Sequence, residues 1–357
     1  MSLIAHVRTR SRSRAAAVVP AIAASLILTA APPSSAASSG LTAFPGLTAF
    51  PGLTASPGLT ASPRLTASPG SAVQPAPPGS GAPPRSFWGN TGAIPPATHV
   101  LEVEVINRTN GRFPSSRVYW SFNGQEKSIA RQRYIDMPAN SAGRMYFYLG
   151  SPHSKYFDFI EFTVGPSSIN VDTTRVDRFG LKLALLLHGH DGSSQEVGEN
   201  YATFRESRSA TFHRFRKFVP AAFKELATED ALYGIPSPGN VPAFQPGGRH
   251  ANYYAKYAAS VGDTTDSTAQ IFGCAGTLAS NPALCAGLNR HVAQLPAQEQ
   301  ANPAHFYKAR PANYYAEFWH KNAINGLAYG FPYDDYAGQS SDISVTNPKY
   351  LVVAVGW

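Results

Sequence analysis

Between residues 99 and 149 the chain is written in short runs of alternating polar and apolar positions, punctuated by turn signals. Val100-Leu101-Glu102-Val103-Glu104-Val105-Ile106 alternates, Val118-Tyr119-Trp120-Ser121-Phe122 is aromatic and extended, and Arg144-Met145-Tyr146-Phe147-Tyr148-Leu149 closes the series. Asn110-Gly111 and Asn123-Gly124 mark the turns. Residues 156–164, 170–180, 181–187 and 350–355 read as further strands. Residues 201–232 change period: Phe204, Phe212, Phe215, Phe218, Phe223 and Leu226 recur at helical spacing among Arg, Lys and Glu, with a break at Pro220. Residues 250–260, 288–294 and 312–322 are helical in pattern as well. The expected fold is mainly β with a mixed α/β lobe. A β-barrel or sandwich is built from 98–200 and 323–357, and 201–322 is a helical insertion.

Strand alternation also says which way the acidic side chains point. In 156–164 it places Ile160, Phe162 and Val164 on a buried face and Phe159, Glu161 and Thr163 on the other. In 170–180 it places Arg175, Asp177 and Phe179 together. Two carboxylates are the minimum equipment for acid/base cleavage of a glycosidic bond. An aromatic neighbour holds a carboxyl protonated by desolvation, and a guanidinium favours the ionised form. Glu161 beside Phe159 is therefore expected to be the general acid and Asp177 beside Arg175 the general base.

The N-terminal part is different. Arg8, Arg10, Arg12 and Arg14 precede an apolar run over 15–31 and the small residues around Ala36. That order describes a secretory signal peptide, 1–36, and an extracellular protein. The competing membrane anchor is disfavoured because Pro20 interrupts a run already short for a bilayer. A six-residue repeat of the form Leu-Thr-Ala-Phe/Ser-Pro-Gly/Arg then starts at Leu41, Leu47, Leu53, Leu59 and Leu65 and decays into Pro, Gly, Ser and Ala. With few large apolar groups to offset ordering entropy, 37–97 is expected to be a disordered linker or stalk.

The formal net charge of +8 belongs largely to that region. Six of the 30 basic residues and none of the 22 acids precede Glu102, which leaves the rest at 24 against 22, net +2. Nothing there calls for nucleic acid. Cys274 and Cys285 are the chain's two cysteines. In an exported protein they are expected to form a disulfide closing a short loop. His188-Gly189-His190-Asp191 is expected to be a turn at a strand end rather than a metal site, and no metal or cofactor is called for.

Several segments together resemble glycoside hydrolase family 64, the thaumatin-like β-1,3-glucanases. They are Phe159-Ile160-Glu161-Phe162-Thr163, Thr173-Thr174-Arg175-Val176-Asp177-Arg178-Phe179-Gly180-Leu181 and Cys285-Ala286-Gly287-Leu288-Asn289-Arg290. Residues 314–320 with Asn325-Gly326, Tyr329-Gly330-Phe331-Pro332-Tyr333-Asp334-Asp335, Gln339-Ser340-Ser341 and Val355-Gly356-Trp357 complete the set. Lys182 departs from the pattern, where a proline is usual. The resemblance implies a thaumatin-like barrel or sandwich beside the helical lobe, with a wide groove between them for a β-1,3-glucan. It implies inverting hydrolysis, with Glu161 as acid and Asp177 as base. A monomer is the expected form of a secreted hydrolase that must diffuse to an insoluble polymer. Thr163, on the face of Glu161, and Arg175 are expected to contact substrate, and Asp334 and Asp335 resemble the acidic pair that thaumatin-like proteins place near the cleft. A non-catalytic wall-binding module or a displayed structural protein would leave both carboxylates dispensable.

Overall fold

The computed structural model describes residues 81–227 and 232–357. The expected signal peptide and most of the expected linker lie outside the described residues. The strands are β1 Leu101–Arg108, β2 Val118–Phe122, β3 Gln125–Ser128, β4 Tyr134–Met137, β5 Ala142–Leu149, β6 Phe157–Val164 and β7 Ser168–Thr173. They continue with β8 Arg178–Phe179, β9 Lys182–Gly189, β10 Ser194–Gly198, β11 Ile235–Pro236, β12 Asp342–Thr346 and β13 Pro348–Gly356. The α-helices are α1 Tyr201–Arg205, α2 Arg208–Phe218, α3 Ala255–Ser260, α4 Thr268–Phe272, α5 Pro282–Arg290, α6 Ala297–Gln300 and α7 Tyr314–Lys321.

Two sheets form a sandwich. One has the order β12-β7-β6-β5-β2-β3 and the other β10-β9-β13-β1-β4. Each keeps its own edge strands, so the expected barrel alternative gives way to two open layers. Their inner faces share one core, with Trp120, Phe147, Ile160 and Val171 from the first meeting Val103, Leu185 and Val353 from the second. β13 runs parallel to β1 and antiparallel to β9, so strands from either side of the helical segment complete one sheet.

The sheets differ in what covers their outer faces. On the five-stranded sheet Ala184, Leu186, Val352 and Ala354 are buried again, under Phe87, Trp88, Phe204 and Ile324. This explains why β9 and β13 read as continuous apolar runs rather than alternating ones. It also corrects the expected linker: residues 85–88 form a turn of 3₁₀ helix whose Phe87 and Trp88 are buried, so the folded part starts ahead of residue 97. The six-stranded sheet has β6 buried at Ile160, Phe162 and Val164 and exposed at Thr163, with Asp158 and Phe159 buried as well. Its outer face is where the chemistry gathers.

A second core joins Phe215, Phe272 and Trp319 of the helices to Phe179 of β8, Phe223 and Phe331. Asn200, Ser207, Ser267 and Asn313 cap helix N-termini with side-chain oxygens. The Cys274–Cys285 disulfide ties the segment after α4 to α5. No helix among the described residues is long and apolar enough to cross a membrane.

Candidate active site

Strand register brings a row of charged side chains onto the open face. Arg144 on β5 lies opposite Glu161 on β6, Glu161 opposite Asp172 on β7, and Asp172 opposite Asp342 on β12. Arg144 Nε donates to Glu161 Oε1 at 2.8 Å, and its Nη1 donates to Asp177 Oδ2 at 3.1 Å. One guanidinium thus holds both predicted carboxylates. All three side chains are reached by solvent, at 34% exposure for Arg144, 25% for Glu161 and 44% for Asp177. The charges of Glu161 and Asp177 push the Arg144 guanidinium upward in spite of burial, so it stays cationic. It also lies over the Phe159 ring, 4.2 Å from its centre.

Asp177 reaches this face by a route that alternation does not describe. β7 ends at Thr173, and Arg175 N then donates to Tyr329 O at 2.7 Å, outside any strand. The segment 174–180 presses against β6 so closely that a side chain at Gly180 would strike the Phe157 carbonyl. Asp158 anchors the segment: its Oδ2 accepts from Gly180 N and Leu181 N at 2.8 and 2.9 Å and from Arg175 Nη1 at 2.8 Å. The helical side of the molecule holds the same segment, with Ser237 N on Asp177 O at 3.0 Å and Tyr315 Oη on Arg175 O at 2.8 Å. The base candidate is thereby suspended over the sheet beside the acid candidate rather than paired with it in the ladder.

Arg175 is therefore corrected. It is 3% exposed and grips Glu199 through Nε at 2.9 Å and through Nη2 at 2.6 and 2.7 Å, with Asp158 on its other nitrogen. It does not stand beside the Asp177 carboxylate and touches no open surface. Asp334 is corrected as well. It is fully buried, takes Arg290 Nη2 at 2.8 Å and His320 Nε2 at 2.9 Å, and accepts Gly330 N at 2.9 Å. Burial works to raise its carboxyl, but His320 and Arg290 hold it below the usual range. Asp334 fastens the loop over 329–336, while its neighbour Asp335 is exposed. Thr163 lies exposed on the Glu161 face, opposite Asn170.

Three residues of the site escaped the sequence reading: Arg144, Asp158 and Asp172. Alternation in β5 does place Arg144 with Tyr146 and Tyr148 on the outer face, away from Met145, Phe147 and Leu149. The missing information was the register that sets it against Glu161. Half-buried rings continue from there along the strands. Tyr146 packs against Phe159 at 5.4 Å and Tyr148 at 6.2 Å between ring centres, and Tyr148 packs against Phe157 at 5.9 Å.

The sequence model of glycoside hydrolase family 64, described as "Beta-1,3-glucanase", matches residues 108–264 and 264–355. Among solved structures, a laminaripentaose-producing β-1,3-glucanase of that family from Paenibacillus barengoltzii is 32% identical, with a TM-score of 0.67, over 75% of this chain and 77% of the other. A family 64 β-1,3-glucanase domain from Clostridium beijerinckii shares the fold at 22% identity and a TM-score of 0.65, over 74% of this chain and all of the other. A curated glucan endo-1,3-beta-glucosidase from Cellulosimicrobium cellulans is 40% identical over 67 residues, 18% of this chain. That match spans 12% of the curated relative's length. The extent of the family match and of the Paenibacillus likeness establishes that this chain belongs to glycoside hydrolase family 64.

Proposed function

We propose that the protein is an exported, endo-acting β-1,3-glucanase that cuts its polymer to short oligosaccharides with inversion, Glu161 acting as general acid and Asp177 as general base. The observation that carries this is the Arg144 bridge, which sets two solvent-open carboxylates side by side on a sheet face in a family 64 chain. In this reaction Glu161 protonates the leaving glycosidic oxygen. Asp177 takes a proton from a water that attacks the anomeric carbon from the opposite ring face. Inverting chemistry needs about 6.5–9.5 Å between the carboxyls to admit that water. A guanidinium between the two, in place of a direct contact, keeps them apart.

The remaining assignments follow the same reading. Thr163, two residues along from Glu161, and exposed Asp335 offer a hydroxyl and a carboxylate to sugar hydroxyls. Tyr146 and Tyr148 offer ring faces to the apolar sides of successive pyranoses. The two layers are taken as the thaumatin-like sandwich, the space between its outer face and the helical lobe as the groove, and the working form as a monomer.

The test is incubation of the protein with linear β-1,3-glucan, following products by size and by the anomer first formed. Short oligosaccharides released as the α-anomer are expected. The β-anomer first would overturn inversion, and binding without sugar release would make the protein a wall-binding module.

A further inference from the structure

Acid catalysis requires Glu161 to reach the glycosidic oxygen already protonated, and its Arg144 side supplies no proton for that. A guanidinium donates and has no lone pair to accept, so Oε1, at 2.8 Å from Arg144 Nε, has no proton to present in that direction. The opposite side is different. Asp172 lies directly across the β6–β7 ladder, 8% exposed, and its Oδ1 has no hydrogen-bond partner. Directly opposed strand residues hold their Cβ atoms about 4.5–5.5 Å apart, which places two carboxyl groups within reach of one shared proton. Two carboxyl groups that close resist ionising together, so one of them keeps its proton to higher pH.

Resting on the glucanase reading above, we infer that Asp172 is a positioning residue that shares one proton with Glu161 and delivers Glu161 to the substrate in its acid form. The neighbours on every side fit this role. Glu161 and Arg144 face Asp172 from β6 and β5, Asp342 faces it from β12, and Arg175 and Tyr329 act on it from the flanking segments. Burial pushes the Asp172 carboxyl well above the usual range, and the Glu161 and Asp342 charges add to this against Arg144 and Arg175. Asp342, across the ladder on the other side, is exposed and its Oδ1 accepts from Asn170 Nδ2 at 2.6 Å, whereas Glu161 shares the Arg144 bridge with Asp177.

The proton balance closes without a further reagent. The shared proton passes from Asp172 to Glu161 and on to the leaving oxygen as the glycosidic bond breaks. The attacking water gives its proton to Asp177. Solvent then removes the Asp177 proton and returns one to the Glu161–Asp172 pair. While Asp172 is charged, Arg175 and Arg144 balance it.

The discriminating measurement is the pH–rate profile on linear β-1,3-glucan. A pair that shares a proton releases it at higher pH than a lone carboxyl, so the pair sets the alkaline limb. Asp172→Asn is expected to move that limb down by about one unit or more and to lower neutral-pH kcat roughly ten- to hundredfold, with KM and the acid limb little changed. A loss parallel at every pH would mean a structural role and overturn the inference. A limb that moves with Asp342→Asn and not with Asp172→Asn would overturn it too. If Asp172→Asn does not fold, ¹³C-carboxyl NMR titration of the unaltered protein decides: two coupled steps shared by Glu161 and Asp172 support the pair, and independent single steps refute it. That titration needs no turnover, so a protein that failed to cut glucan would sink the glucanase reading while the shared proton was still tested.

Discussion

Arg144 and Arg175 each bridge two carboxylates, and they do opposite things. Arg144 joins Glu161 to Asp177 with all three side chains open to solvent. Arg175 joins Asp158 to Glu199 with exposures of 3%, 1% and 6%, and with every oxygen it meets committed to the fold. The buried bridge shapes the backbone of 174–181 and so decides where Asp177 stands. The open bridge leaves oxygens free to meet a substrate. Residue types alone do not separate the two; solvent access and the commitments of the oxygens do.

The sharpest way to break that comparison is to neutralise the open carboxylates without changing their shape. Glu161→Gln and Asp177→Asn are each expected to lower glucan hydrolysis by about 10²–10⁴-fold, the range for a general acid or base. Melting temperature should stay close to that of the parent. Unchanged turnover in either variant would remove that residue from the chemistry.

Next in size is the buried bridge. Arg175→Met leaves Asp158 and Glu199 without their counter-charge inside the protein. Breaking one partner of such a pair costs about 3–5 kcal/mol. Urea unfolding should show that loss, or the variant should fail to accumulate in folded form. A stability change below about 1 kcal/mol would mean that Asp158 and Glu199 hold the segment without it.

The same contrast explains what the sequence could and could not reveal. β6 was legible because Ile160, Phe162 and Val164 alternate with Phe159, Glu161 and Thr163, and the ladder obeys that period. The helices around Phe212, Phe215 and Trp319 were legible from their spacing, and the cysteines from their number. Alternation misplaces Arg175 because the strand period ends at Thr173, beyond which a backbone bond to Tyr329 and side-chain bonds to Asp158 and Glu199 set its position. Those partners lie up to 154 residues away in the chain, and no local pattern contains them. Arg144 was overlooked for the same reason, since its meaning depends on a register with β6. Phe87 and Trp88 were lost in a stretch whose average composition is that of a linker, although two large aromatic side chains side by side are a core signal even there.

The smallest expected stability effect falls on Arg144, and it tests the comparison from the other side. Arg144→Met keeps the aliphatic stem and removes the guanidinium that lies over Phe159 and joins Glu161 to Asp177. Ion pairs this exposed contribute about 0–1 kcal/mol, because water solvates the separated charges nearly as well and the long side chain regains its freedom. Unfolding should therefore shift little. Catalysis should not be spared, because the guanidinium that joins the two carboxylates is gone. A tenfold or greater fall in kcat, on the scale of about 1.4 kcal/mol per decade, is expected with the fold intact. An Arg144→Met protein as destabilised as Arg175→Met would show that the open bridge is structural after all. One that kept its full rate would show that the sheet and the 174–180 segment position Glu161 and Asp177 unaided, with Arg144 merely lying between them.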